Sequence, residues 1–204
     1  MNLINDDCMN IMPKYEDDYF DLAIVDPPYR NADNNDANQW VRKTIKKGRL
    51  KDWNDKPNKK YFDELFRVSK NQIIWGANNF TLPEHKGFIV WKKLSISEQF
   101  NMSMCEYAYI SEKLGSISKL FECLPQDKNR IHPTQKPVRL YRWILENYAE
   151  PSDKVLDTHL GSGSSAIACH YFGTKNFVGI EIDKEYFDNA KTRIEKETRQ
   201  IKLL

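Results

Sequence analysis

Val155-Leu156-Asp157-Thr158-His159-Leu160-Gly161-Ser162-Gly163-Ser164-Ser165 is the stretch on which the fold turns. An apolar run ends in an acid, a Gly-Ser-Gly turn follows, and Ala166 to Phe172 continues as a helix of mostly small residues. Strand, tight turn and helix in that order form the unit from which open α/β sheets are wound. The glycines permit backbone angles that other residues avoid and let a ligand come close to the chain. Ser162 or Ser164 stands where a helix cap is wanted. A second strand, Phe177 to Ile182, carries Glu181, and Asp183 follows it. An acid roughly 20 positions beyond the glycines is the spacing that meets ribose hydroxyls. The full dinucleotide glycine pattern is missing and no Gly-Lys-Ser/Thr occurs, so a nucleoside cofactor fits better than a dinucleotide or a triphosphate. An ordinary strand–turn–helix is the plain alternative.

Far upstream, Phe20 to Val25 is apolar except for Asp21 and reads as a buried parallel strand. Asp26-Pro27-Pro28-Tyr29 follows at once. Ligands of open α/β sheets bind at that end of the strands. The prolines lack an N–H, so their carbonyls are free to accept from a ligand. Asp26 adds a second acceptor and Tyr29 a flat face. Two acceptors and a stacking surface suit an exocyclic amino group on a planar base; the plain alternative is a proline-rich turn.

Asp-Pro-Pro-Tyr, the glycine block and His132-Pro133-Thr134-Gln135-Lys136-Pro137 together resemble amino-methylating DNA methyltransferases. The motif near residue 26 precedes the glycines near residue 161, an order similar to the permuted beta class. The resemblance covers nearly the whole chain and is weakest over residues 31–130. It implies a doubly wound, Rossmann-like methyltransferase sheet and S-adenosyl-L-methionine as cofactor. It implies Asp26, Pro27, Pro28 and Tyr29 as the catalytic group. Cofactor contacts carry over to Asp26, Asp157, Gly161, Gly163, Ser164 and Glu181, and to Thr134 and Lys136 before the helix at 138–148. Lys136 has a second reading as a solvated lysine at a helix start. Asp7, with Cys8 beside it, takes the place of an adenine-binding Asp-Cys pair, although Asn5-Asp6-Asp7-Cys8 lacks the family's glycine. Thr158-His159 departs from the family's Pro-Phe, which replaces an apolar wall with a titratable one.

The aspartate form of the motif leans towards adenine N6 in double-stranded DNA. Cytosine N4, an RNA amine, or a non-catalytic subunit of a heterodimer are the alternatives. A protein-glutamine methyltransferase would favour Asn before Pro-Pro-Tyr, and carbon-5 methylation needs a cysteine nucleophile for which no Pro-Cys pair exists. A homodimer and a restriction endonuclease partner are left open by the resemblance.

The chain has 204 residues and a net charge of +2, which allows one domain and says little about partners. No run is apolar and long enough for a membrane span, no leader pattern opens the chain, and Cys8, Cys105, Cys123 and Cys169 show neither zinc nor disulfide spacing. A cytoplasmic enzyme without a metal is the expectation, with Cys169-His170 as helix packing. The segment 31–60 is rich in Lys and Arg, with Trp40 and Trp53 among them and Asn31, Asn34, Asn35, Asn38 and Gln39 at its start. That mixture suits phosphate contact and base stacking, or a solvated loop. No large separate target-recognition domain fits, so a second patch is sought at Trp91-Lys92-Lys93 and Ser95 to Met104. Asn78 and Asn79 either line the site or make a turn. Further elements are expected as helices at 61–68 and 184–202 and strands at 72–75, 88–91 and 106–111.

Overall fold

The computed structural model describes residues 1–28, 56–100, 102–125, 131–132 and 134–199. Eight strands among them form one sheet: β1 (Asn2–Asn5), β2 (Leu22–Val25), β3 (Gln72–Trp75), β4 (Phe88–Lys93), β5 (Cys105–Ile110), β6 (Lys119–Cys123), β7 (Lys154–Asp157) and β8 (Asn176–Glu181). Their order is β1-β8-β7-β2-β3-β5-β4-β6. All neighbours run parallel except that β5 lies antiparallel between β3 and β4. The five principal helices are α1 (Cys8–Ile11), α2 (Lys59–Val68), α3 (Val138–Tyr148), α4 (Ser164–Phe172) and α5 (Lys184–Thr198).

The central strands β2, β3 and β7 are buried almost throughout, as continuous apolar runs should be when both faces are covered. One face packs on α3, α4 and α5 through Leu140, Ile144, Ile167 and Ile194. The other packs on α1 and α2 through Ile11, Phe62, Leu65 and Val68. The sheet is therefore doubly wound, as expected.

β2 begins at Leu22 rather than Phe20. Asp21 explains the later start: its Oδ2 accepts the Lys154 N–H at 2.9 Å and its Oδ1 the Lys70 ammonium at 2.6 Å. α5 covers Lys184–Thr198 among the described residues, and residues 200–202 of the expected helix lie outside them. β6 escaped the sequence reading because, as an edge strand, it buries only alternate residues. Asn79 donates back to the Gly76 carbonyl at 2.9 Å, which settles Ala77–Asn79 as a turn.

Candidate active site

Carboxylates gather where the parallel strands end. Asp26 follows β2, Asp157 ends β7, Glu181 ends β8, and Asp7 follows β1. β2 continues to β3 on one side while β7 leads to β8 on the other, so their junction is the topological switch point where α/β sheets bind ligands. A cavity of about 520 Å³ lies there, a size suited to a nucleoside ligand. Asp7, Cys8, Asp26, Pro27, Pro28, Thr134, Lys136, Gly161, Ser164 and Glu181 all line it. Asp157 and Gly163 are not on the wall but hold the turn from behind. Tyr29 and residues 30–55 lie outside the described residues.

Glu181 is nearly inaccessible, and its two oxygens accept the Gly161 N–H at 2.8 Å and the Asp183 N–H at 3.0 Å. Each oxygen keeps a further lone pair for a hydroxyl. Burial pushes this carboxyl up, against those backbone bonds. Asp157 accepts from Ser165 Oγ at 2.5 Å and from the His159 N–H at 3.0 Å, and burial pushes it up to about 7. The turn between them needs its glycines, with φ of 52° at Gly161 and 76° at Gly163. A Cβ on Gly163 would stand 2.8 Å from Ile194 Cδ1, so α5 packs where a side chain would be. Gly163 is also the N-cap of α4 and no side chain caps that helix, which corrects the expectation for Ser162 and Ser164. Those two serines share a 3.1 Å bond, and Arg193 of α5 donates to Ser164 Oγ and to the Ser162 carbonyl.

Asp7 caps α1 by accepting the Met9 N–H at 2.8 Å. Burial pushes the Cys8 thiol up to about 12, so it is a packing group on the wall and no nucleophile. His159, the titratable wall residue, is held down at about 4 by burial and is therefore neutral. Thr158 Oγ1 bonds both His159 Nδ1 at 2.9 Å and the buried Tyr61 hydroxyl at 2.7 Å. Tyr61, at the start of α2, packs edge-on against the His159 ring.

Asp26 stands between this wall and the strands of the sheet's other half. Its Oδ2 is 2.5 Å from the Lys136 ammonium. Oδ1 is buried and has no hydrogen-bond partner among the described residues. Lys136 is buried, which overturns its reading as a solvated lysine. Its Nζ also pairs with Glu106 at 2.9 Å, and Glu106 pairs with Lys93 at 2.7 Å. Burial pushes Asp26 up, while Lys136 opposes it. Glu106 is also pushed up by burial, but two ammonium groups outweigh that and hold it at about 2.

The proposed second patch fares differently. Trp91 is buried under the sheet and cannot stack on a base, Lys92 pairs with Glu122, and Lys93 is taken by Glu106. Tyr61, Glu106 and Arg193 went unnoticed in the sequence. A lone acid in the apolar run Glu106 to Ile110 is a signal that could have found Glu106, because charges seldom stay buried unpaired.

A doubly wound sheet with an acid-Pro-Pro turn and a glycine turn facing one cavity is the architecture of a nucleoside-binding α/β protein. The family model for DNA methylases of the N6/N4 type matches residues 69–192. The chain belongs to that family, the amino-methylating DNA methyltransferases, whose cofactor is S-adenosyl-L-methionine. YubD of Escherichia coli (strain K12), a methylase by name, is 24% identical over 94% of this chain and 88% of its own length. The type II methyltransferase M.HpaI of Haemophilus parainfluenzae is 25% identical over 96% of this chain and 74% of its own. Among solved structures, TTHA0409 of Thermus thermophilus, complexed with S-adenosyl-L-methionine, has a TM-score of 0.65 and 16% identity over 98% of this chain and 95% of that one. This last likeness speaks for the fold. No helix among the described residues is long and apolar enough to cross a membrane.

Proposed function

We propose that the chain transfers a methyl group from S-adenosyl-L-methionine to adenine N6 in double-stranded DNA. The observation that carries this reading is Asp26: a cavity-lining carboxylate with one oxygen tied to Lys136 and the other without a partner among the described residues, beside two prolines. The bound cofactor supplies an electrophilic sulfonium methyl. The chain's task is to align an amine behind it. Asp26 Oδ1 and the Pro27 carbonyl accept the two N–H bonds of the amine, which favours a tetrahedral nitrogen and stabilises the positive charge that develops there. The methylated nitrogen is acidic and gives up its proton afterwards, so Asp26 need not be a strong base. Glu181 holds the ribose hydroxyls, Asp7 accepts from the cofactor's adenine, and Gly161, Gly163, Ser164 and Asp157 shape the turn between them. Thr134 and Lys136 border the cofactor's methionine end. Tyr29 stacks on the base after it leaves the duplex. Adenine is preferred over cytosine on the aspartate of the motif alone. M.HpaI, a type II methyltransferase, supports a role beside a restriction endonuclease.

The test is nucleoside mass analysis of genomic DNA from cells expressing the wild type or Asp26→Ala. N6-methyladenine with the wild type only is the expected result. N4-methylcytosine would keep the chemistry and change the base. Methylation by both proteins would overturn the role of Asp26.

A further inference from the structure

We propose that Glu106 and Lys93, which do not line the cavity, are positioning residues that act through Lys136 to keep one oxygen of Asp26 tied and leave the other without a protein partner among the described residues, as the acceptor for the target amine. The inference rests on the methyl-transfer reading and adds to it Glu106, which no sequence motif contained, and Lys93, which the sequence placed in a separate patch.

Four side chains form one alternating row: Asp26, Lys136, Glu106 and Lys93, with contacts of 2.5, 2.9 and 2.7 Å. They come from four separate places in the chain: the end of β2, the segment before α3, the start of β5 and the end of β4. Only the reversed direction of β5 puts its first residues at the edge where the parallel strands finish. The side chains of Lys136, Lys93, Asp26 and Glu106 are only 4%, 12%, 16% and 17% exposed, so water does little to screen them. Two tryptophans fix the lysines from below. Lys136 Nζ lies 5.4 Å from the Trp75 ring centre, and Lys93 Nζ lies 5.4 Å from that of Trp91. The two indoles meet edge to face at 6.3 Å. Cation–π contact of this kind holds an ammonium in place without a competing acceptor.

The row has a functional consequence. A lone Lys136 would settle over Asp26 and draw on both of its oxygens. Glu106 pulls the ammonium to one side, and Lys93 keeps Glu106 charged so that it can do so. The other groups that feel Asp26 are Asp157 behind the turn and the hydroxyls of Tyr61 and Tyr141. Glu106 opposes ionisation of Asp26 and Lys136 favours it. The two can therefore be separated by sign.

The experiment is a carbon-13 titration of aspartate-labelled protein without DNA, with the Asp26 signal identified by Asp26→Asn, alongside kcat and cofactor affinity. Glu106→Gln preserves shape and removes the charge. It should lower the Asp26 midpoint by half a pH unit or more, cut kcat at least tenfold and leave S-adenosyl-L-methionine affinity within twofold. Lys136→Met should move the midpoint the other way. Glu106→Asp should recover part of kcat. An unmoved Asp26 midpoint in Glu106→Gln overturns the network, whatever happens to turnover. So does wild-type kcat in that variant. A wild type that methylates no DNA instead refutes the catalytic reading and the role in transfer with it, while the titration still reports on the row itself.

Discussion

At the scale of single residues, Asp26 does two jobs with two oxygens. One meets a buried ammonium, and the other has no hydrogen-bond partner among the described residues. In the proposed mechanism, replacing it with Ala removes the acceptor for the amine. A lost preorganised contact of this type costs about 100- to 1,000-fold in kcat. Asp26→Ala is expected to lose at least that much while keeping cofactor affinity, as calorimetric titration with S-adenosyl-L-methionine would show. Transfer at the wild-type rate would refute the assignment. Glu181 sits across the cavity among backbone N–H groups, so its loss should appear in cofactor affinity first.

At the scale of elements, the site depends on how two helices begin. α2 starts at Asn58, whose Oδ1 accepts the Lys60 N–H at 2.9 Å and the Tyr61 N–H at 3.4 Å. That cap holds Tyr61, and through its hydroxyl Thr158 and His159. Asn58→Ala should cost about 1 kcal/mol, as caps do. In a chain of this size that is roughly 2–4 °C in Tm, measurable by thermal unfolding. α4 starts at Gly163 with no side-chain cap, and its glycine lies in left-handed space against Ile194. Gly163→Ala should therefore be worse, by roughly 1–3 kcal/mol, because backbone strain and overpacking coincide. It should also weaken cofactor binding. A variant as stable as the wild type would show that α5 gives way easily. The strand ends were largely legible, since apolar runs stop at acids or prolines. β6 was not, because a half-exposed edge strand carries no continuous apolar signal.

Across the whole molecule, the buried carboxyls set how stability depends on pH. Asp157 folds with its proton held up to about 7, above its ordinary value. Its contribution is full in acid, where it is protonated folded or unfolded. It is lost as pH rises towards 7, where ionisation is easier in the unfolded chain. The change is on the order of 4 kcal/mol across that window. His159 acts in the opposite sense, since the fold keeps it neutral down to about 4 and loses stability as pH falls below the ordinary histidine range. The two slopes offset each other in the cofactor-free wild type. Asp157→Asn should leave stability rising between about pH 4 and 7, and His159→Phe should leave it falling, as denaturant midpoints taken at several pH values would reveal. Matching profiles in both variants would refute the two assignments.

Residue order alone was enough for the α/β class and for most of the site. Asp26-Pro27-Pro28 and the Gly161–Gly163 turn each follow an apolar strand, and local pattern fixes which strand end a motif sits on. Which distant side chains would meet was decided only by the sheet. β5 runs against its neighbours, so Glu106 arrives at the edge where the parallel strands end, beside Lys93 and Lys136, residues separated from it by 13 and 30 positions. Burial then turned Lys136 from a charge that belongs in water into the partner of Asp26. Pairing between remote charges has no local signature in a chain, because it is set by strand direction and the exclusion of water, and both exist only once the core has formed.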